Sequence, residues 1–349
     1  LTGSTLQILT EELDSGVILY RSFSTTDNIS VNRNRNNCYL KTLYFLPRKL
    51  EELYMLGADS FFDKVKKNNM HPFFYSRRLY TSLSNYEFFK IICKKYAKYF
   101  VRKSCGVLNY EQWILMFAIN KQHGLSNTFW KFNKIIPPKE LFWADPHIIH
   151  KDNKYYIFIE EFLYKTKKGH ISCLVIDNAG KYTFPQKILE KSYHLSHPYV
   201  FFHENDLYMI PDTSENKTVE LYRCVKFPDK WEFVNNIMEN VCAVDTTLFK
   251  KDGKWWLFTN IKESEGYSNW DELFLFYSSE LLSNSWKAHP TNPIVSDVSS
   301  ARPAGNVFLF NDNLYRPSQN CSKGYGYGIK INQIIKLNEY DYQELCINS

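Results

Sequence analysis

The stretch ADPHIIHKDNKYYIFIEEF, residues 144–162, decides how the whole chain is read. A lone acid beside proline, Asp145, precedes a short apolar run. Asp152 and Asn153 then supply a tight turn, and an aromatic return run ends in two adjacent acids, Glu160 and Glu161. Two short runs rich in aromatic and β-branched residues around an Asp-Asn turn predict a β-hairpin. Three later stretches can be laid over it: SHPYVFFHENDLYMIPDTS from Ser196, AVDTTLFKKDGKWWLFTNI from Ala243 and ARPAGNVFLFNDNLYRPSQN from Ala301. Their leading polar residues, Asp145, His197, Asp245 and Arg302, recur about every 50 residues, a period in the range of propeller blades. The runs WILMFAINKQ before the first repeat and GYGIKINQIIKLNEYDYQE after the last are expected to join as one more blade. Five blades of about 50 residues fill the roughly 235 residues after Tyr110. The predicted fold is mainly β: a five-bladed β-propeller over 109–349, preceded by a helical N-terminal segment. A β-sandwich of similar hairpins is the alternative.

Upstream of the repeats the period changes. Residues 1–36 read as a short strand-like piece and a polar loop, and 37–108 as a helical adaptor. Ser84 and Glu87 have the spacing of a capping box, with Phe88, Ile91, Ile92 and Tyr96 following at helical intervals. Pro47 is expected to start or kink an earlier helix between Leu40 and Leu56.

The chain has 349 residues, 44% apolar, 23% charged and 17% aromatic, with net charge +6. That composition belongs to a soluble globular protein with ample core, and its aromatic excess suits half-buried pleated surfaces. Much of the positive excess lies in residues 31–103, which reads as solvated helix faces or as a contact for a membrane surface or protein partner. No nucleic-acid motif is present. Eight cysteines without a CxxC pair suggest reduced thiols and a cytoplasmic location. No apolar run is long enough to span a membrane, and the N-terminus lacks a signal-peptide pattern. The first residue is Leu, so the chain is expected to derive from a longer or processed one.

Hairpin geometry gives the repeat its chemistry. The start of a blade's innermost strand and the end of the next lie on one face. Asp145 therefore neighbours Glu160 and Glu161, His197 neighbours Asp212, Asp245 neighbours Asn260, and Arg302 neighbours Gln319 and Asn320. Radial symmetry brings these pairs to one mouth of the channel. Converging carboxylates suit glycosyl chemistry, with one as base or nucleophile, one as acid and a third tuning them. Asp145 is the expected base and Asp245 its orienting partner. One of Glu160 and Glu161 is the expected acid or hydroxyl ligand, because strand neighbours face opposite ways. His197, Asp212, Arg302, Arg316 and Gln319 are expected to bind substrate, with the arginines holding a phosphate or carboxylate. Plainer roles stand beside these. Asp145 and Asp245 suit turn caps, His197 a structural histidine, and the arginines salt-bridge partners. Tyr155-Tyr156 and Trp255-Trp256 suit blade packing. No His/Cys spacing supports a metal, and no cofactor is expected.

The motifs ADPHII, HPYVFFHENDLYMIPDTSENKTVELYR, VDTTLFKKDGKWWLF, DELFLFYSSELLSNSWKAHPTNPIVSD and ARPAGNVF with LYRPSQNCSKGYGYGI stand in this order. Together they resemble the propeller region named after the N-terminal part of plant glucosamine inositolphosphorylceramide transferase. The resemblance covers roughly 110–345 and extends to bacterial relatives linked to surface-glycan synthesis. More distantly, the region is similar to the five-bladed arabinanase, levansucrase and invertase superfamily, including glycoside hydrolase family 43. That likeness implies a general base at Asp145. It also implies an Asp in the second blade and a Glu in the third, where this chain has His197 and Asp245. Against the transferase-linked group, Asp212 stands where Glu is usual and Asn320 where Asp is. LTGSTLQILTEELDSGVILYRS, residues 1–22, resembles the end of a formyltransferase catalytic domain without that domain's catalytic residues. The expected function is action on a sugar or nucleotide-sugar at the channel mouth, as glycosyl transfer in surface-glycan synthesis. An inverting hydrolase and a non-catalytic glycan-binding module are the alternatives.

Overall fold

A computed structural model describes residues 1–11, 16–27, 30–68, 84–108, 112–119, 129–264, 266–283 and 285–348. The N-terminal part opens with an antiparallel hairpin, β1 (Thr2–Ile8) and β2 (Val17–Ser24). Helices α1 (Val31–Thr42), α2 (Phe45–Leu56), α3 (Ala58–Asn68) and α4 (Asn85–Leu108) follow. The polar stretch after β2 is helical from residue 31, earlier than its composition suggests. Ser30 caps α1 by accepting from the Arg33 amide at 3.2 Å, which satisfies one of the four unpaired donors of a helix start. Pro47 lies in the first turn of α2, where its missing N–H costs nothing. The capping box at α4 forms in both directions. The Ser84 amide donates to Glu87 at 3.0 Å, and the Glu87 amide donates to Ser84 Oγ at 3.3 Å.

The β region begins with a short hairpin, β3 (Leu115–Phe117) and β4 (Asn133–Ile135). Blade I is β5 (Leu141–Lys151), β6 (Lys154–Leu163), β7 (Lys168–Asp177) and β8 (Gln186–Leu189). Blade II is β9 (Ser196–His203), β10 (Asp206–Asp212), β11 (Thr218–Lys226) and β12 (Lys230–Glu239). Blade III is β13 (Ala243–Lys251), β14 (Lys254–Ile261), β15 (Leu273–Ser278) and β16 (Lys287–Ala288). Blade IV is β17 (Phe308–Phe310), β18 (Asn313–Asn320), β19 (Gly328–Leu337) and β20 (Tyr342–Asn348). Each is an antiparallel sheet with strands in sequence order.

Among the described residues there are four such sheets, which corrects the expected five. One 50-residue period already contains four strands, so the run after the last repeat completes that repeat. It supplies β19 and β20, while WILMF pairs only with Asn133–Ile135. This two-stranded hairpin touches both ends of the series. The Trp143 amide of blade I donates to Trp113 O at 3.5 Å, and the Trp113 ring meets Tyr325, after β18, at 6.1 Å.

Three buried clusters lie between successive blades. One joins Phe158 and Ile171 of blade I to Val200 and Met209 of blade II. The next joins Ile210 and Leu221 to Leu248 and Leu257, and the third joins Phe258 and Leu275 to Leu314 and Ile334. Central strands covered on both faces read as continuous apolar runs, as in KWWLFTNI, rather than as alternation.

The N-terminal segment is fastened to blade III by buried charge. Lys41 Nζ donates to Asp271 at 3.0 Å, to Ser24 Oγ at 2.9 Å and to Phe23 O at 3.3 Å. Arg48 makes a forked pair with Glu272 at 3.1–3.2 Å and also binds Glu263. Tyr20 and Tyr267 donate to the same Glu272 at 3.1 and 2.8 Å. The Phe23 backbone adds to the chain at Ser296 and Val298 through two 3.0 Å bonds. No described helix is long and apolar enough to cross a membrane, and the seven described cysteines form no disulfide.

Candidate active site at the channel mouth

One backbone device repeats in three blades. Asp145, His197 and Asp245 have positive φ, at 49°, 43° and 51°. Ladder register shifts accompany it between Ala144 and His147, between Ile210 and Asp212 opposite Ser196, and between Val244 and Thr247. Left-handed backbone at a bulge turns one side chain out of strand alternation, and Asp and His tolerate it better than most residues. Residues strained this way cluster at functional sites.

The bulges and hairpin registers bring together most of the residues the repeats single out. Ala144 faces Glu160, Ser196 faces Asp212 and Val244 faces Asn260, and the Gln319 amide donates to Arg302 O at 2.8 Å. The His197 amide donates to Asp145 Oδ2 at 3.3 Å, joining blades I and II. Arg302 grips Asp245 bidentately, at 3.0 Å from Nη2 and 2.5 Å from Nε, and Gln319 Nε2 donates to the same carboxylate at 3.0 Å. Asp212 accepts from the Ser214 amide at 2.9 Å.

The protonation preferences differ sharply within this cluster. Burial, then the charges of Asp145, Asp212 and Asp245, push Glu160 well above the usual carboxylate range. Burial and Asp245 also raise Asp145 and Asp212. Burial opposes the charge on Asp245 too, but the Arg302 guanidinium overcomes it and holds that carboxyl below its ordinary value. Burial and the His197 ring, 4.8 Å away, keep His147 well below the usual imidazole value. His197 Nε2 and both amide atoms of Asn260 are buried without a hydrogen-bond partner. His194 Nε2 lies 3.6 Å from Glu160 Oε1.

Two expected residues do not converge here. Glu161 faces the other side of β6, accepting from Trp143 Nε1 at 2.8 Å and meeting His170 Nε2 at 3.1 Å. Arg316 pairs with Glu344 instead, leaving only its buried Nη1 without a partner. It is buried at 1% exposure, and Glu344 takes its Nε at 2.9 Å and its Nη2 at 2.7 Å. The first follows from strand alternation within β6, since Glu161 points to the face opposite Glu160, and the second from β20, whose Glu344 claims Arg316. Among the described residues no group of three His, Cys, Asp or Glu is arranged to hold a metal.

Sequence reasoning missed the aromatic wall. Tyr325, 45% exposed, stacks over the Arg302 guanidinium at 5.0 Å, and burial with the nearby Asp145 and Asp245 raises its phenol. Trp113 and Trp270 pack on its ring at 6.1 and 5.8 Å. The legible signal was the Gly-Tyr-Gly triplet. Gly324 and Gly326 have φ of 134° and 72°, and a Cβ on Gly326 would lie 2.3 Å from Trp113.

The family described as "Glucosamine inositolphosphorylceramide transferase 1, N-terminal" matches residues 133–349. The rice protein named glucosamine inositolphosphorylceramide transferase 1 (Oryza sativa subsp. japonica) is 35% identical over 210 residues, covering 59% of this chain and 28% of the relative. Its Arabidopsis thaliana namesake is 33% identical over 207 residues, covering 58% and 27%. The chain thus spans less than a third of the length of the curated relatives it matches. Among solved structures, the family 117 glycoside hydrolase Zg3597 of Zobellia galactanivorans aligns with TM-score 0.46 at 12% identity, covering 60% of this chain and 70% of that one. A putative exo-β-1,3-galactanase from Bifidobacterium bifidum s17 aligns with TM-score 0.44 at 18% identity, covering 60% and 72%. These structural likenesses are too distant to assign chemistry. By the family match across its β region, the chain belongs to the family described as the N-terminal region of glucosamine inositolphosphorylceramide transferase 1.

Proposed function

We propose that the channel mouth binds a sugar and takes part in glycosyl transfer during surface-glycan synthesis. The observation that carries this reading is the split of protonation states within one cluster. Glu160 favours its neutral form, while Asp245 is held charged by Arg302. Carboxyls whose environments push them apart are suited to divided acid and base work. Glu160 then donates a proton to the departing oxygen. Asp145, the base expected from the repeat, accepts the proton of the attacking hydroxyl from its ionised form, which burial and Asp245 disfavour less strongly than they and Asp212 disfavour that of Glu160. Asp245, fixed by Arg302 and Gln319, holds sugar hydroxyls or supports positive charge developing on the ring. Tyr325 offers an apolar face to a sugar. Because the Nε–Nη2 edge of Arg302 already meets Asp245, this reading assigns that arginine to holding Asp245 rather than to a phosphate.

A second reading, a glycan-recognition module without turnover of its own, is favoured by the Arg302 pair that already occupies Asp245. The two are separated by screening wild type, Asp145→Asn and Glu160→Gln against nucleotide-sugars and oligosaccharides by thermal shift, with product analysis of each ligand bound. Transfer predicts turnover by wild type and a loss of about 10²–10⁴-fold in either variant with binding retained. Equal binding by all three without product supports the recognition module. Failure of every sugar to bind overturns both readings.

A further inference from the structure

The other strong feature of the molecule is on α4, which carries none of the site residues. Of residues 85–101 every side chain is exposed except Ile92, which is half-buried. At about 100° per residue, Phe88, Phe89, Ile92, Tyr96, Tyr99 and Phe100 fall on one face. Lys90, Lys94 and Lys98 form a row on the opposite face, which Ile91 and Val101 share, while Lys95 borders the aromatic stripe; Glu87 is the lone acid of residues 85–101. Phe89 and Phe100 are 66% and 62% exposed, and Phe88 is 56% exposed. An aromatic stripe of this size bare to water marks an interaction surface.

We propose that α4 lies along an anionic membrane surface, with its aromatic face in the headgroup–acyl boundary. The helix contains 24 residues, a length of about 36 Å. Its lysines keep it from being apolar enough to cross a bilayer, so it lies on the surface instead. An aromatic face opposed to a lysine row is the pattern of interfacial helices, whose lysine stems bend their ammonium groups back to lipid phosphates. Charge selects this occupant. A protein groove that covered the stripe would leave the lysine row facing solvent without a role. An anionic leaflet engages both faces at once, and the chain's net charge of +6 adds to the attraction.

The test is co-sedimentation of the full chain with vesicles of phosphatidylcholine alone or mixed with phosphatidylserine, alongside light scattering for oligomeric state. Wild type is expected to bind the mixed vesicles and to release as salt is raised. Lys94→Gln with Lys98→Gln should weaken binding about 30-fold. Phe89→Asp with Phe100→Asp should abolish it, with the thermal midpoint unchanged because both rings are exposed. Absence of binding to anionic vesicles overturns the proposal, as does binding that neither double variant alters. So does a wild-type dimer that the phenylalanine variant splits without loss of vesicle binding, which would assign the face to a second copy.

Discussion

Glu160 and Asp145 are adjacent because β5 and β6 form a hairpin, and that much is readable from the spacing of one acid before a turn and another after it. Which of the two glutamates faces the channel is decided by Trp143 and His170, which claim Glu161 from the other side. Glu160 also has a consequence for stability. Its folded value is raised, so the stability it contributes is present below the unfolded carboxyl value of about 4.3. That contribution is lost as pH rises through the folded value. Glu160→Gln, which cannot ionise, should therefore match wild type in melting temperature near pH 4 and exceed it increasingly at neutral and alkaline pH, as read by melting curves across pH. A constant difference at every pH would refute a raised Glu160. Asp245 behaves oppositely. Its carboxylate is 2% exposed and neutralises an Arg302 side chain that is 10% exposed. Asp245→Asn should cost about 3 kcal/mol in chemical denaturation, the penalty of orphaning a buried charge.

At the scale of elements, Glu160 depends on a close approach behind it. Gly169, on β7, lets blade I reach the loop before β9, with its amide donating to His194 Nδ1 at 2.8 Å. A Cβ there would lie 2.5 Å from Leu195 O and 2.9 Å from Glu160 Oε1. Gly169→Ala should thus destabilise the protein by about 1–3 kcal/mol, the usual cost of overpacking. It should also impair sugar-dependent thermal shifts more than mutation of an exposed residue between β7 and β8 such as Phe184. Unchanged stability and ligand response would show that Leu195 and Glu160 can move aside. The bulges at Asp145, His197 and Asp245 were partly legible, since a polar residue recurs at one place in each repeat. Their positive φ was not, because it follows from ladder register rather than from the residues themselves. Tyr325 was missed for a related reason. Its loop earns its place in the site only because Trp113, some two hundred residues earlier in sequence, packs on it.

Across the whole molecule, the N-terminal segment and the propeller share one buried ionic network centred on Glu272, whose side chain is 1% exposed. Arg48→Met should remove the forked pair, cost about 3 kcal/mol and loosen α2. Hydrogen exchange would read this as lost protection over residues 45–56, and unchanged protection would mean that Tyr20 and Lys41 suffice to hold the segment. The segment reaches the mouth indirectly, because Trp270 lines the 250 Å³ cavity beside Lys41 and Asn37 and also touches Tyr325. The sequence by itself determined the repeat, its hairpins and the residues that lead each one, because these depend on local period and turn chemistry. It also marked α4, through its capping box and helical spacing. Tertiary structure alone decided the number of blades, since the run after the last repeat had to cover β18 rather than begin a new sheet. It decided, too, which acids meet, which acid each arginine pairs with, and which aromatics wall the site. Those outcomes depend on partners distant in sequence, and burial between them sets both geometry and charge.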